Sequence, residues 1–259
     1  MHQTGQVQYC RDALTGAEWI LCTDSAISYP LHNHVSVYTA GIVLHGTIVL
    51  ELDNVSLSLC TGDTFLIPPY LPHRLHSDGR YSLLTLCIQK DRMAGCGSGA
   101  VAQAINCLIA SLPEGTLSEA QHTALLRRML MLEDAPYTLP SEPWIGLVRT
   151  LLERHPEKKL GIDEMARRAH ISKYHFIRSF RRSVGLTPHQ FQIQNRVRKA
   201  QRLLPYTECF TQVDFTVGFC DQSHLIREFE KWTGLTPTAY RSSCRHIPHP
   251  EDAVNLRQG

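Results

Sequence analysis

Two histidines, His32 and His34, stand two residues apart in the run Pro30-Leu31-His32-Asn33-His34. On an extended chain, side chains two apart point to the same side. Two imidazoles aimed at one place are the start of a site for zinc, nickel, cobalt or copper. His45 and His76 are candidate supplements to them. A second chemistry sits further along. Between Ser172 and Arg202 there are eight basic residues and no acidic one. Cations gathered this way suit a polyanion. No nucleophile motif and no convincing acid/base pair accompanies either cluster, so the reading is of a protein that is not an enzyme.

The elements that must carry these residues divide the chain in two. A length of 259 residues is comfortable for two domains, and 43% hydrophobic with 19% charged residues excludes disordered and fibrous classes. No run approaches 18 unbroken apolar residues, so no membrane span is expected. Met1-His2-Gln3-Thr4-Gly5 lacks a basic region followed by an apolar one, so no signal peptide is expected and the location is read as cytoplasmic. The net charge of +2 hides a split. Residues 1–140 carry 7 Lys/Arg against 12 Asp/Glu, net −5, and residues 141–259 carry 19 against 12, net +7. Nine cysteines, an odd number with no CxxC pair, fit a reducing compartment, mostly as small buried hydrophobes. A redox role for one or two stays open.

The first half has a period of two. Val55-Ser56-Leu57-Ser58-Leu59 alternates strictly and predicts a half-buried strand. Residues 47–52 are β-branched and apolar, and Asp53-Asn54 reads as the hairpin turn between the two runs. Residues 63–67 and 81–88 supply further strands, and Pro68, Pro69 and Pro72 punctuate the loop between them. A small barrel or sandwich from about residue 35 to 88 follows. Helices are expected at 100–112 and 118–132, the second opened by a capping box at Ser118. The apolar face of that helix could pack on the barrel or against a second copy of the chain. Residues 133–143, with three prolines, read as a linker.

The second half is helical and internally repeated. Residues 173–191 and 222–240 are identical at eight of nineteen positions at an offset of 49, among them His175/His224, Arg178/Arg227 and the closing Gly185-Leu186-Thr187-Pro188/Gly234-Leu235-Thr236-Pro237. This marks a duplicated supersecondary unit. In the first copy, 162–169 is a short helix with Ile162, Met165, Ala166 and Ala169 on one face. Ser172 caps a second helix that buries Phe176 and Phe180 and presents Lys173, Tyr174, Ile177, Arg178, Arg181 and Arg182. That is a helix-turn-helix whose second helix can enter a major groove. A connector at 188–204, roughly 24 Å long at 1.5 Å per residue, lets two such helices stand about one DNA turn apart. Arg196, Arg198, Lys199 and Arg202 on it are expected at phosphates.

The stretch 213–241 resembles the signature of the AraC/XylS family of transcription regulators. The matching residues are Gly218, Phe219, Asp221, Ser223, His224, Arg227, Phe229, Gly234, Thr236, Pro237, Tyr240 and Arg241. The resemblance covers about 142–245. It implies two helix-turn-helix units on a linker helix, gripping consecutive major grooves of promoter DNA, usually to activate RNA polymerase. It implies base-edge contacts by Tyr174, Ile177, Arg178 and Arg181 in the first unit. In the second it implies Gln222, Ser223, Ile226 and Arg227, with Lys231 nearby and offset by Glu228 and Glu230. Arg178 and Arg227, matched by the repeat, could equally form structural ion pairs. Asp214 departs from the family, which usually has a buried alanine there.

The runs 30–34, 62–68 and 72–73 resemble the cupin-type barrel that many members carry ahead of the DNA-binding half. Metal-binding cupins take two histidines and a glutamate from their first motif and one histidine from the second. His32, His34 and His73 match, and Tyr38 falls where the glutamate would be. The resemblance leaves open a divalent transition metal, an organic effector or no small ligand. The whole reading is an α+β two-domain protein. It has a cupin-like sensor barrel with flanking helices (1–132), a linker (133–143), an all-α DNA-binding domain (144–245) and a tail (246–259). Homodimerisation through 100–132 is an expected partner mode. A metal-dependent cupin enzyme fused to a DNA-targeting module is the alternative.

Overall fold

The computed structural model describes residues 5–11, 17–52, 55–89, 105–106, 109–130, 142–159, 161–207 and 210–246. The expected turn at Asp53-Asn54, most of the helix at 100–112, the linker up to residue 141 and the tail from 247 lie outside the described residues.

Among the described residues, nine strands build the first half: β1 (Gln6–Arg11), β2 (Glu18–Ser25), β3 (Tyr29–His32), β4 (Val37–His45), β5 (Thr47–Leu52), β6 (Val55–Cys60), β7 (Thr64–Ile67), β8 (His73–His76) and β9 (Tyr81–Gln89). They form two facing sheets, ordered β10-β1-β2-β9-β4-β7 and β3-β8-β5-β6, where β10 is Cys244–His246. The hairpin of β5 and β6 has the expected register, Thr47 opposite Cys60 and Leu52 opposite Val55. Strands β1, β2 and β3 begin well before the β region read from the sequence. The half-buried face expected for β6 is a correction: the strand is at a sheet edge, Val55 is 55% exposed, and Leu59 alone packs on the core. Alternation on an edge strand records which face each side chain takes, not that another layer covers it.

Helix α1 (Glu119–Leu130) starts as predicted, with Ser118 Oγ accepting from Gln121 N at 3.3 Å and Gln121 Oε1 accepting from Ser118 N at 2.9 Å. It lays Leu125 and Met129, both fully buried, onto the outer face of the six-stranded sheet beside Tyr38, Ile88 and Trp19. One apolar face of α1 is therefore covered by the barrel itself.

The helical half contains α2 (Pro143–Arg154), α3 (Ile162–Arg168), α4 (Lys173–Val184), α5 (Pro188–Leu203), a 3-10 turn (Leu204–Tyr206), α6 (Phe210–Val217), α7 (Gln222–Thr233) and α8 (Pro237–Ser243). Local signals set most of these ends. Ser172 caps α4 by accepting from His175 N, and Asp221 caps α7 by accepting from His224 N. Gly185 and Gly234 close the same two helices at φ of 79° and 75°, a left-handed conformation that glycine takes without strain.

The two halves do not meet through a linker alone. One continuous core joins the barrel interior (Tyr9, Ile48, Leu50, Tyr81) to the second helix-turn-helix unit (Val217, Leu225, Phe229, Tyr240). Tyr9 donates to the carbonyl of Thr233 at 3.0 Å and packs on Tyr240 with ring centroids 4.7 Å apart. The last residues of the helical half add strand β10 in parallel to β1, Tyr9 opposite Cys244. The expected domain end at 245 and the start of the tail at 246 thus fall inside a strand of the barrel's sheet.

Candidate functional site

The histidines converge because two short strands pair. His32 ends β3, His73 opens β8, and the antiparallel register sets them opposite each other. His34 lies just beyond β3 and closes the triangle. Ring centroids are 4.1 Å apart for His32 and His73, 4.8 Å for His34 and His73, and 5.2 Å for His32 and His34. One ligand nitrogen from each lies within 4.8 Å of the others.

Hydrogen bonds fix the tautomer of two rings. His32 Nδ1 stands 2.7 Å from the carbonyl of Pro30, and His73 Nδ1 stands 2.9 Å from that of Leu71. A carbonyl can only accept, so each Nδ1 carries the proton and each Nε2 keeps its lone pair. Metal-bound histidines are oriented in this way, by a backbone carbonyl on the far nitrogen. Burial disfavours the imidazolium form throughout the cluster. It pushes His32 down to about 4 and His34 and His73 well below their ordinary value, helped at all three by Arg198 and at His34 and His73 by repulsion from neighbouring histidines. The three rings are neutral at pH 7, the form that ligates a cation. The donor set fits a borderline-soft divalent metal.

Two sequence expectations for this site are corrected. Tyr38 does not join the triad. It points to the opposite face of the six-stranded sheet and packs with Ile88, Leu125 and Met129. A one-residue difference in pleat decides the face. Nor do the supplementary histidines: His76 Nε2 is 3.1 Å from Glu51 Oε1 on the barrel surface, and His45 is exposed at the end of β4.

The other expected site is the paired recognition helices. On α4, Lys173, Tyr174, Arg178, Arg181 and Arg182 are exposed, Tyr174 to 81%, and Ile177 is half-buried. On α7, Gln222, Ser223, Arg227 and Lys231 are exposed, and Ile226 is half-buried against a surface cleft of about 380 Å³ shared with Thr236, Pro237 and Thr238. Lys173 pairs with Asp163 at 3.1 Å, and Lys231 with Glu228 at 3.7 Å. No acidic partner within ion-pair distance is found for Arg178 or Arg227 among the described residues, which favours the reading of both as contact groups.

The connector departs from expectation. Arg198 donates to the carbonyl of Asn33, inside the junction with the barrel. Arg196 donates to the carbonyl of Pro156 at 2.8 Å, and Lys199 pairs with Glu157 at 2.9 Å. Burial pulls Arg198 down to about 10, against the opposing pull of Glu18. The phosphate role expected for Arg196, Arg198 and Lys199 meets helix faces already engaged by the protein. Arg202 alone of the four is exposed. The reason is the centrality of α5: Phe191, Ile193, Val197 and Ala200 are all buried, so little of its circumference reaches solvent.

Asn33 was not picked out by sequence reasoning. Fully buried between the two histidines, it bonds among the described residues to the helical half: Gln194 Oε1 accepts from its N–H at 3.2 Å, and Gln194 Nε2 donates to its main-chain and side-chain oxygens, each at 3.0 Å. Its Nδ2 donates to the carbonyl of Val184, the last residue of α4, at 3.0 Å. The signal was present as Gln192, Gln194 and Asn195 on a helix whose neighbours are apolar, since buried amides need partners.

Comparison with known proteins agrees with both halves. Residues 165–243 match the family described as a helix-turn-helix domain, and residues 24–89 match the cupin domain. The chain is 25% identical over 230 residues to the uncharacterized HTH-type transcriptional regulator YobQ of Bacillus subtilis, covering 86% of this chain and 94% of that one. It is 27% identical over 263 residues to the HTH-type transcriptional regulator MtrA of Neisseria gonorrhoeae, covering 80% and 85%. The fold is similar to that of ToxT from Vibrio cholerae, with a TM-score of 0.54 at 11% identity over 93% of this chain and 97% of that one. A cupin domain that carries a histidine triad, followed by duplicated helix-turn-helix units with exposed basic helices, makes this chain similar over most of its length to HTH-type transcriptional regulators.

Proposed function

We propose that this regulator senses a divalent transition-metal ion, nickel, zinc, cobalt or copper, at His32, His34 and His73, and meets promoter DNA through α4 and α7. The observation that carries the reading is the histidine cluster: one ligand nitrogen from each of the three rings lies within 4.8 Å of the others, and two of the rings donate Nδ1–H to backbone carbonyls, which leaves their Nε2 unprotonated. A bound ion would act there as a charge and a crosslink between β3 and β8. The residues themselves do the rest, Pro30 and Leu71 holding the rings and the flanking core excluding water. Base contacts fall to Tyr174, Ile177, Arg178 and Arg181 on α4 and to Gln222, Ser223, Ile226 and Arg227 on α7. Arginine on guanine gives the strongest single discrimination. In this reading RNA polymerase is the downstream partner.

The test is a titration of the full chain with Co(II), followed by visible absorption and thermal unfolding. A ligand-field band and a raised Tm, both lost in His34→Ala and in His73→Ala, are the expected result. Absence of stabilisation by Zn(II), Ni(II), Cu(II) and Co(II) alike would refute the metal. Stabilisation by a small organic acid and by no metal would replace the ion with an organic effector.

A further inference from the structure

The histidine triad is wedged where the DNA-binding half converges. Asn33, between His32 and His34, bonds to the end of the first recognition helix at Val184 and to the connector at Gln194 and Arg198. Pro72, next to His73, packs on the same helix end: a Cβ on Gly185 would overlap its ring. His32 faces Trp232, near the end of the second recognition helix, with ring centroids 6.4 Å apart. Both arms of the triad therefore press on one junction.

We propose that Asn33 is a positioning residue that couples the triad to the DNA-binding half, and that filling the triad opens the Asn33 clasp. This rests on the metal reading above. Two physical effects set the direction. Three nitrogens that ligate one tetrahedral ion at about 2.0–2.1 Å stand about 3.4 Å apart. The ligand nitrogens here are spread over separations of up to 4.8 Å, and drawing the widest of them together on one ion pulls the His32–His34 segment toward His73, carrying Asn33 with it. The bonds to Gln194 and Val184 are 3.0–3.2 Å long, and lengthening beyond about 3.5 Å ends them. The second effect is charge. Arg198 is the cation whose field already lowers the basicity of all three histidines. A divalent charge at the triad repels it from the Asn33 carbonyl toward Glu18 and Glu153, the acids that already act on it. Both effects free α5 and the end of α4. The empty triad thus holds the two helix-turn-helix units in a fixed mutual pose, and the filled triad releases them to take the spacing of a duplex.

The test uses the full chain, Co(II) as probe, and a duplex selected from a random pool by the Co(II)-loaded protein. Four readouts are needed: the Co(II) band, DNA Kd with and without Co(II), Tm, and hydrogen exchange over 184–198. The wild type should bind DNA more tightly with Co(II), by a factor in the range of roughly 5–150 typical of coupled sites, with faster exchange over 184–198. Asn33→Ala should bind DNA without metal about as tightly as the wild type does with it, keep its Co(II) band, and respond to Co(II) less than twofold. Gln194→Met, which keeps volume and removes the amide, should behave likewise and stands in should Asn33→Ala fail to fold. A Co(II) band with full coupling in either folded variant overturns the clasp and leaves the metal site intact. Unchanged exchange over 184–198 in the wild type on adding Co(II) overturns it without any variant. No band in the wild type overturns the site and the clasp together.

Discussion

Which cations touch DNA is decided by geometry, and salt dependence reads it directly. Arg182, on α4, is exposed, whereas Arg198, on α5, is directed at the Asn33 carbonyl between the halves. Each phosphate contact contributes about 0.9 to the slope of log K against log salt in B-DNA. Removing one real contact therefore softens the loss of affinity between 50 and 200 mM salt by about 3.5-fold, a fourfold salt change raised to that power. Arg182→Met should flatten the line by about 0.9. Arg198→Met should leave the slope unchanged, whatever it does to affinity at one salt concentration. Arg181→Ala, removing a guanidinium proposed to read a base, should cost about 1–3 kcal/mol, or roughly 5–150-fold in Kd, on the preferred site, and relax preference at one base position. Fluorescence anisotropy with a selected duplex at five or six salt concentrations measures all three. A slope reduced by Arg198→Met and untouched by Arg182→Met would refute the assignment. It would mean that α5 turns its buried face to the phosphates when the protein binds DNA.

Two further outcomes follow from buried charge. Asp214 is 4% exposed, its Oδ1 finds no hydrogen-bond partner among the described residues, and burial raises its carboxyl above the ordinary 3.8. Asp214→Ala should stabilise the protein by about 1–3 kcal/mol at pH 7 in urea unfolding, the usual cost of an unsatisfied buried group. The gain should shrink as pH falls through the raised folded value toward 3.8, because the protonated side chain no longer carries the penalty, and a loss of stability would contradict the reading. The triad acts in the opposite sense. The unfolded chain takes up protons at these histidines near 6.5, while the folded chain resists them, His32 down to about 4. Stability should be unaffected by them above 6.5 and fall as pH drops below it, by about 1.4 kcal/mol per pH unit for each histidine held neutral. Thermal unfolding of His73→Gln beside the wild type between pH 7 and 5 isolates one such proton, and parallel curves would contradict it.

The legible parts of this protein are those set by neighbours in the chain. Ser172 and Gly185 bracket α4 because a hydroxyl cap and a left-handed glycine act within one turn of the helix. The capping box at Ser118 and the hairpin register of β5 and β6 were readable for the same reason. The triad histidines were readable as a pair two apart on an extended chain, while His73 needed the cupin resemblance. Tyr38 was misplaced because the cupin resemblance gave it the glutamate's position, whereas the pleat of β4 turns it to the opposite face of the sheet, among Ile88, Leu125 and Met129.

The amino-acid order by itself determined a period-two half and a period-3.6 half, a duplication with its caps, the opposed charges of −5 and +7, and the histidines. Each follows from local propensity or from residue identity, which need no partner distant in the chain. Only the tertiary structure decided where the halves meet. It took three of the four expected phosphate cations from the connector into protein contacts, added the last strand of the helical half to the barrel's sheet, and placed Asn33 across 161 residues from Gln194. A buried amide must find a partner, yet its own sequence does not name which. That choice belongs to the packing of the two halves on each other, and here it joins the histidine triad to the end of α4 and to α5.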